Sequence, residues 1–196
     1  DRKQFQNYER KWRKLQREAQ ATFQYLCRPQ DDIHRAIEAY LAVHERSWKV
    51  PDRSPDFVPR ILVEAHAAGV LRMGILEVDG RPVAVEVAIV RPGGATMLKT
   101  AYDQAMRERS VGAIVILLTI KKLVAADRVS EIDFGRDDEP YKQLWMPRRR
   151  LKWGIVAFDP RRPGGLLGLT DEARERTFRW ARSGVRSVLS GLQRKR

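Results

Sequence analysis

Residues 70–103, VLRMGILEVDGRPVAVEVAIVRPGGATMLKTAYD, contain three apolar segments that are separated by two turn signals. Asp79-Gly80 is typical of a hairpin turn, and the Pro-Gly-Gly run within 91–94 favours a second reversal of the chain. The segments between these turns are rich in residues that prefer strands. The sequence therefore predicts an antiparallel meander, with strands at 70–78, 82–90 and 95–103.

The sequence around this meander predicts helices and further short strands. Val111–Ala126 is apolar on almost every face, which is typical of a buried helix. Other helices are predicted at 2–19, 33–48, 140–145 and in a segment that ends at Gly69, and other strands at 22–26, 131–134 and 151–158. The predicted fold class is α/β (α+β), with a mixed, mostly antiparallel central sheet flanked by helices. We expect one domain at 1–160 with a basic N-terminal helix at 1–20, and then, at 161–196, a linker (161–169) and a C-terminal amphipathic basic helix from 171.

Composition excludes several classes of protein. The 196 residues are 43% hydrophobic and 32% charged, which is typical of a globular chain, and the longest apolar run, 112–118, is too short for a membrane span. Cys27 is the single cysteine, so an internal disulfide and a cysteine-built zinc site are excluded. The three histidines lack ligand-type spacing, and we expect no metal. No secretory leader is visible, and we expect a cytoplasmic protein that is processed or cut from a longer chain.

The positive charge is concentrated in three segments. The chain carries 38 basic and 25 acidic residues, a net charge of +13. Residues 1–20, 142–162 and 170–196 contribute net charges of +4, +6 and +5, and the remainder is close to neutral. Such a distribution attracts phosphate-rich partners, namely nucleic acid, anionic lipid or a nucleotide-bearing cofactor. The alternative is that these segments are solvated helix faces without a ligand.

Five short motifs follow one another in an order that is similar to a known family. They are Glu45-Arg-Ser-Trp-Lys49, Lys99-Thr-Ala-Tyr-Asp103, Val111-Gly112, Ile132-Asp-Phe-Gly135 and Pro140-Tyr-Lys-Gln-Leu-Trp145. Together with the meander and the strand–helix–strand that follows, they resemble the GNAT-superfamily acyltransferases. The resemblance covers residues 1–160 and is nearest to the CelD/BcsL-like (cellulose and exopolysaccharide biosynthesis) branch, close to the FemAB-like enzymes. Members of that branch carry another GNAT-like half upstream, which we expect to be missing here.

The segment Arg109–Ala113 is predicted to bind phosphate. A turn at a helix N-terminus offers free N–H groups and the positive end of the helix dipole, and Arg107 and Arg109 add charge. The resemblance implies a coenzyme A pyrophosphate loop written Q/R-x-x-G-x-G/A, which Arg109 to Gly112 fits and Ile114 does not. An alternative is a helix cap in which Gly112 only eases a turn. The predicted cofactor-binding residues are Arg107, Arg109, Ser110, Val111, Gly112, Ala113 and Lys142.

Three carboxylates are candidates for catalysis. Glu86 lies among small and apolar residues on a central strand, so it faces either a cleft, where burial raises its pKa towards that of a general base, or water. Asp103 ends the third strand of the meander, next to the predicted phosphate site, and is otherwise a turn-forming residue. Asp133 lies in a short strand and is otherwise the partner of a basic residue.

The resemblance also implies a role for Tyr141, because GNAT enzymes often carry a tyrosine there that protonates the departing thiolate of coenzyme A. The implied function is transfer of an acyl group, most simply acetyl from acetyl-CoA, to an amine or hydroxyl of a small molecule or of a sugar or polysaccharide precursor. Asp103 or Glu86 is the predicted base. Two alternatives remain: a FemAB-like transferase that uses aminoacyl-tRNA, which the basic segments favour, and a non-catalytic GNAT-fold binding module.

Overall fold

We analysed a computed structural model, which describes residues 2–49, 54–135, 139–146, 148–150, 154–155 and 157–174. The helices are α1 (Arg2–Glu18), α2 (Ile33–Glu45), α3 (Phe57–Ala67), α4 (Val111–Ala125) and α5 (Pro140–Trp145). The strands are β1 (Thr22–Leu26), β2 (Leu71–Val78), β3 (Arg81–Arg91), β4 (Gly94–Tyr102) and β5 (Glu131–Asp133). A 3₁₀ helix, Gln104–Arg109, which the sequence did not predict, connects β4 to α4.

The five strands form one sheet in the order β1-β2-β3-β4-β5. The first four strands are antiparallel to their neighbours, and β5 runs parallel to β4. Asp79 and Gly80, which form the β2–β3 turn, both have a positive φ, as a tight hairpin requires. The predicted meander and the predicted fold class are therefore confirmed.

Helices cover both faces of the sheet, and each face has its own apolar core. On one face, α2 and α3 pack against β2 and β3 through residues such as Val43, Leu62 and Val87, which are fully buried. On the other face, α4 packs against the same strands, and Ile114 and Val115 are fully buried there. The apolar character of α4 on nearly all sides therefore reflects burial between the sheet and α1.

The helix α1 contacts both α4 and α5. Leu15 is buried in the core beneath α4, and Glu9 forms an ion pair with Lys121 on α4. The rings of Phe5 and Tyr8 lie 5.3 and 5.6 Å from the ring of Trp145, which is the last residue of α5. The aromatic side chains of Phe5 and Tyr8 therefore form a face of α1 that packs against α5.

Two predictions for the C-terminal part of the chain are wrong where the structure describes it. Residues 154, 155, 157 and 158 are not in a strand, and residues 163–174 are helical although a linker was predicted through residue 169. Pro163 begins that helix, where a missing N–H has no cost, and Gly165 and Gly168 leave room for Asp159 and Phe158 beside it. The remainder of the predicted terminal helix lies outside the described residues.

The chain divides into two compact units, 1–148 and 149–196. The predicted boundary after residue 160 stays a prediction. Among the described residues, no helix is long and apolar enough to cross a membrane. The described residues also contain no cluster of three histidine, cysteine or acidic side chains that could hold a metal ion.

Candidate active site

The sheet opens between β4 and β5. β5 pairs with β4 only along Gly94–Thr96, so in the described part of the chain β5 does not pair with the second half of β4. The β3–β4 register also shifts at this point: Val87 pairs with Lys99 and Ala88 with Met97, which leaves Leu98 as an extra residue in a β-bulge. Among the residues that the structure describes, none pairs with this edge of β4 beyond Thr96, which therefore presents backbone polar groups to the opening.

Glu86 lies on β3, the strand on the other side of β4 from this opening, and is fully buried. It pairs in register with Thr100 of β4, and the Thr100 hydroxyl donates a 2.6 Å hydrogen bond to Glu86 Oε2. Burial raises the pKa of Glu86 to about 8, although the Thr100 hydrogen bond and the positive charge of Lys49 both act to lower it. The interpretation of Glu86 as a solvated surface residue is therefore wrong, and its carboxylate can accept a proton near neutral pH.

Tyr141 reaches the same opening from α5. Its side chain is 38% exposed, and Thr100 and Glu139 are hydrogen-bond partners of its hydroxyl. Burial and the negative charges of Glu139 and Glu86 raise the pKa of Tyr141 to about 12, so the phenol keeps its proton at neutral pH. Thr100 therefore lies between a candidate base and a candidate acid.

The segment after α2 also reaches this opening. The ring of Trp48 is 49% exposed and lies 4.4 Å from the ring of Tyr102, two residues beyond Thr100 on β4. The ammonium group of Lys49 lies 5.6 Å from the centre of the Trp48 ring. Trp48 and Lys49 belong to one of the five motifs, but neither Lys49 nor Thr100 was predicted as a site residue. No pattern in the sequence around either residue indicates that it lies near Glu86.

The other two predicted carboxylates lie elsewhere. Asp103 is 6% exposed, accepts a hydrogen bond from the Ala105 N–H at the start of the 3₁₀ helix, and forms ion pairs with Arg46 at 2.8 Å and Arg81 at 3.4 Å. Asp133 pairs in register with Thr96, at the opposite end of β4 from Thr100, and accepts a hydrogen bond from the Gly135 N–H. The structure therefore brings Glu86 and Tyr141 together, without Asp103 or Asp133.

The predicted phosphate segment forms the N-terminus of α4. Ser110 precedes the helix with φ +58°, and its side chain does not cap the helix. Instead its hydroxyl accepts a 2.6 Å hydrogen bond from the ammonium group of Lys11 on α1. Arg107 and Arg109 are exposed in the turn just before. The N–H groups of the first turn of α4 thus have no side-chain cap, and Lys11, Arg107 and Arg109 supply positive charge near them. The sequence did not predict Lys11 as part of this site, because it lies 99 residues before Ser110 in the chain.

Packing explains several residue types in this segment. A Cβ at Gly112 would collide with the ring of Tyr102, so this glycine allows α4 to pack closely on β4. Val111 and Ile114 are fully buried in the core, while Ala113 is half-buried. Ile114, which departs from the GNAT loop pattern, therefore lies in the core. Lys142, on α5, forms an ion pair with Glu139 at 3.0 Å.

The mixed sheet with helices on both faces is the fold of an acetyltransferase domain, as a match to a family model shows. The family described as "Acetyltransferase (GNAT) domain" matches residues 2–143. The chain belongs to this family. No curated protein sequence matches the chain at a significant level.

Solved structures of N-acetyltransferases have similar folds. The aminoglycoside N-acetyltransferase AAC(6')-Iy in complex with CoA is 13% identical, with a TM-score of 0.50 over 71% of this chain and 95% of that one. Glucosamine-6-phosphate N-acetyltransferase from Arabidopsis thaliana is 11% identical, with a TM-score of 0.48 over 69% of this chain and 98% of that one. The ribosomal-protein-S18-alanine N-acetyltransferase from Escherichia coli is 16% identical, with a TM-score of 0.42, and the match spans 53% of this chain but only 59% of that one.

Proposed function

We propose that this GNAT acetyltransferase moves an acetyl group from acetyl-CoA to an amine or hydroxyl acceptor, with Glu86 as the general base and Tyr141 as the general acid. The observation that carries the proposal is the juxtaposition of a fully buried carboxylate and a protonated phenol around Thr100, where β4 parts from β5. A carboxyl group with a pKa of about 8 ionises as the pH rises towards that value and can then take a proton from the acceptor, and a phenol with a pKa of about 12 keeps the proton that the thiolate needs.

In this mechanism Glu86 takes a proton from the acceptor as its nitrogen or oxygen forms a bond to the acetyl carbon. The backbone N–H groups on the free edge of β4 stabilise the negative charge that develops on the acetyl oxygen. The bond from the acetyl carbon to sulfur then breaks, and Tyr141 gives its proton to the thiolate. The proton held by Glu86 returns to solvent, and Tyr141 regains one, so both groups are restored.

We propose that the N-terminus of α4 holds the pyrophosphate of acetyl-CoA. The first-turn N–H groups of Val111, Gly112 and Ala113 lack a side-chain cap, and Lys11, Arg107 and Arg109 supply positive charge. The mismatch at Ile114 does not argue against this site, because its side chain is buried away from the loop. AAC(6')-Iy, whose fold is similar, was solved with CoA, which supports the same cofactor here.

Two features bear on the identity of the acceptor, namely the family resemblance and the charge on α1. The CelD/BcsL-like resemblance favours a sugar or polysaccharide precursor as the acceptor, in a cytoplasmic protein. A FemAB-like use of aminoacyl-tRNA is the second candidate, because Arg10, Arg13 and Arg17 form an exposed basic face on α1. Tight tRNA binding at physiological salt, steeply weakened by added salt, would favour this second candidate.

The test is an acetyl-transfer assay that detects released thiol, with a panel of amines, amino sugars and sugar alcohols as acceptors. We expect coenzyme A to raise the melting temperature and at least one acceptor to be acetylated. Glu86→Gln should lower turnover by about 100- to 10,000-fold, whereas Glu64→Gln, at an exposed position of α3, should not. Absence of binding by any acyl-CoA at millimolar concentration would contradict the proposal.

A further inference from the structure

Two oxygens on the α4 side of the sheet are buried without a hydrogen-bond partner in the described part of the chain. They are Glu86 Oε1 and Thr119 Oγ1, and both residues are 0% exposed. Burying a polar atom without a partner costs about 1–3 kcal/mol, and buried oxygens in folded proteins are almost always satisfied by protein or by an ordered water. Two such oxygens on neighbouring elements indicate a shared partner.

Gly74 is next to both residues. It is the register partner of Glu86 on β2, and a Cβ at Gly74 would collide with Thr119 Oγ1. The Thr119 hydroxyl therefore occupies the position that a side chain at Gly74 would take, beside Glu86. Since neighbouring strands lie about 4.8 Å apart, this hydroxyl is about one strand spacing from the strand that carries Glu86, which leaves a separation that one water molecule can bridge.

We propose that Thr119 is a positioning residue for Glu86: its hydroxyl donates a hydrogen bond to one bound water, which in turn donates to Glu86 Oε1. Glu86 is then held between two threonine hydroxyls, Thr100 from β4 and Thr119 from α4. Thr100 fixes one carboxylate oxygen at 2.6 Å, and Thr119 satisfies the other through the water. The inference deepens the proposed function, on which its catalytic consequence rests.

The groups around Glu86 determine whether loss of the Thr119 hydroxyl raises or lowers the pKa of Glu86. The charged and titratable groups that act on it are Lys49, from the segment after α2, and Tyr141, from α5. Lys49 favours the ionised carboxylate, and so does a hydroxyl that donates to it, whereas burial disfavours it. Removing the Thr119 hydroxyl alone should therefore raise the pKa of Glu86 while these other groups stay in place.

The experiment follows the Glu86 carboxyl group by ¹³C NMR across pH in protein labelled at glutamate, with Glu86→Gln used to assign its signal. Thr119→Val keeps the shape of the side chain and removes the hydroxyl. We expect it to raise the pKa of Glu86 by about one pH unit or more, the size of a lost hydrogen bond to a charged group. Thr119→Ser should restore the wild-type titration, and Thr96→Val, on β4 opposite Ile89, should leave it unchanged.

A second variant tests the same inference if Thr119→Val does not fold. Gly74→Ala keeps Thr119 but displaces its hydroxyl, so it should raise the pKa in the same direction. An unchanged titration of Glu86 in Thr119→Val or Gly74→Ala overturns the inference. The acidic limb of the kcat/KM profile should move with the NMR titration. If the titration moves but Glu86→Gln retains full turnover, Thr119 positions Glu86 as inferred and the proposed base is wrong instead.

Discussion

Glu86→Gln should change how the stability of the protein depends on pH. The folded chain raises the pKa of Glu86 from its ordinary value of 4.5 to about 8, chiefly by burial. Between these two values the folded protein keeps a proton that the unfolded chain releases. Stability from this group is therefore fully present below about pH 4.5 and is lost as the pH rises through 8.

The magnitude follows from the same two values. At about 1.4 kcal/mol per pH unit, the interval between 4.5 and 8 corresponds to a loss of about 5 kcal/mol in the free energy of unfolding once the carboxylate is forced to ionise. Because the side chain is fully buried, solvent screening does not reduce this loss. Glutamine does not ionise, so Glu86→Gln should not show this loss.

The assay is urea unfolding at pH 5 and pH 9, followed by tryptophan fluorescence. We expect the stability of Glu86→Gln relative to the wild type to increase by several kcal/mol between pH 5 and pH 9, because all other titrating groups cancel in the comparison. Glu64→Gln, with an exposed side chain, should behave as the wild type does. An identical pH dependence for Glu86→Gln and the wild type would refute the assignment of a buried, protonated Glu86.

Three other substitutions test neighbouring parts of the site. Tyr141→Phe should lower turnover by about 100-fold or more with the KM for acetyl-CoA little changed, because only the proton donor is lost; an unchanged turnover would exclude Tyr141 as the acid. Lys11→Met should raise the KM for acetyl-CoA but not for acetyl-pantetheine, which lacks the pyrophosphate. The control is Lys14→Met, which removes an ammonium group that pairs with Glu18 and should alter neither KM. Equal effects of Lys11→Met on both donors would indicate a structural role for Lys11. Asp103→Asn should destabilise the fold by about 2 kcal/mol in urea unfolding, because it weakens the ion pairs to two arginines, and should leave turnover per folded molecule nearly unchanged; a loss of 100-fold would make Asp103 the base.

Local sequence patterns predicted most of the fold. The limits of β1 and α5 agree with the prediction, and those of α1, α4 and the three meander strands agree within one or two residues. Each of these elements has a signal within itself, such as turn residues at fixed offsets or an apolar period. The prediction was wrong at the described residues 154, 155, 157 and 158, which are not in a strand, and at 163–169, which are helical; alternation in a short segment and a high glycine content were ambiguous signals there.

The sequence by itself indicated which side chains could perform chemistry, since it placed Glu86 on a central strand, Asp103 next to a predicted phosphate site and Tyr141 at the start of a short helix. Only the tertiary structure decided how they group. It buried Glu86 against Thr100, engaged Asp103 with Arg46 and Arg81, and brought Lys11 to Ser110. The physical reason is that a pKa, an ion pair or a hydrogen bond depends on distance through space, and these partners come from segments that are remote along the chain. Propensity and periodicity act over a few residues and carry no information about such pairs.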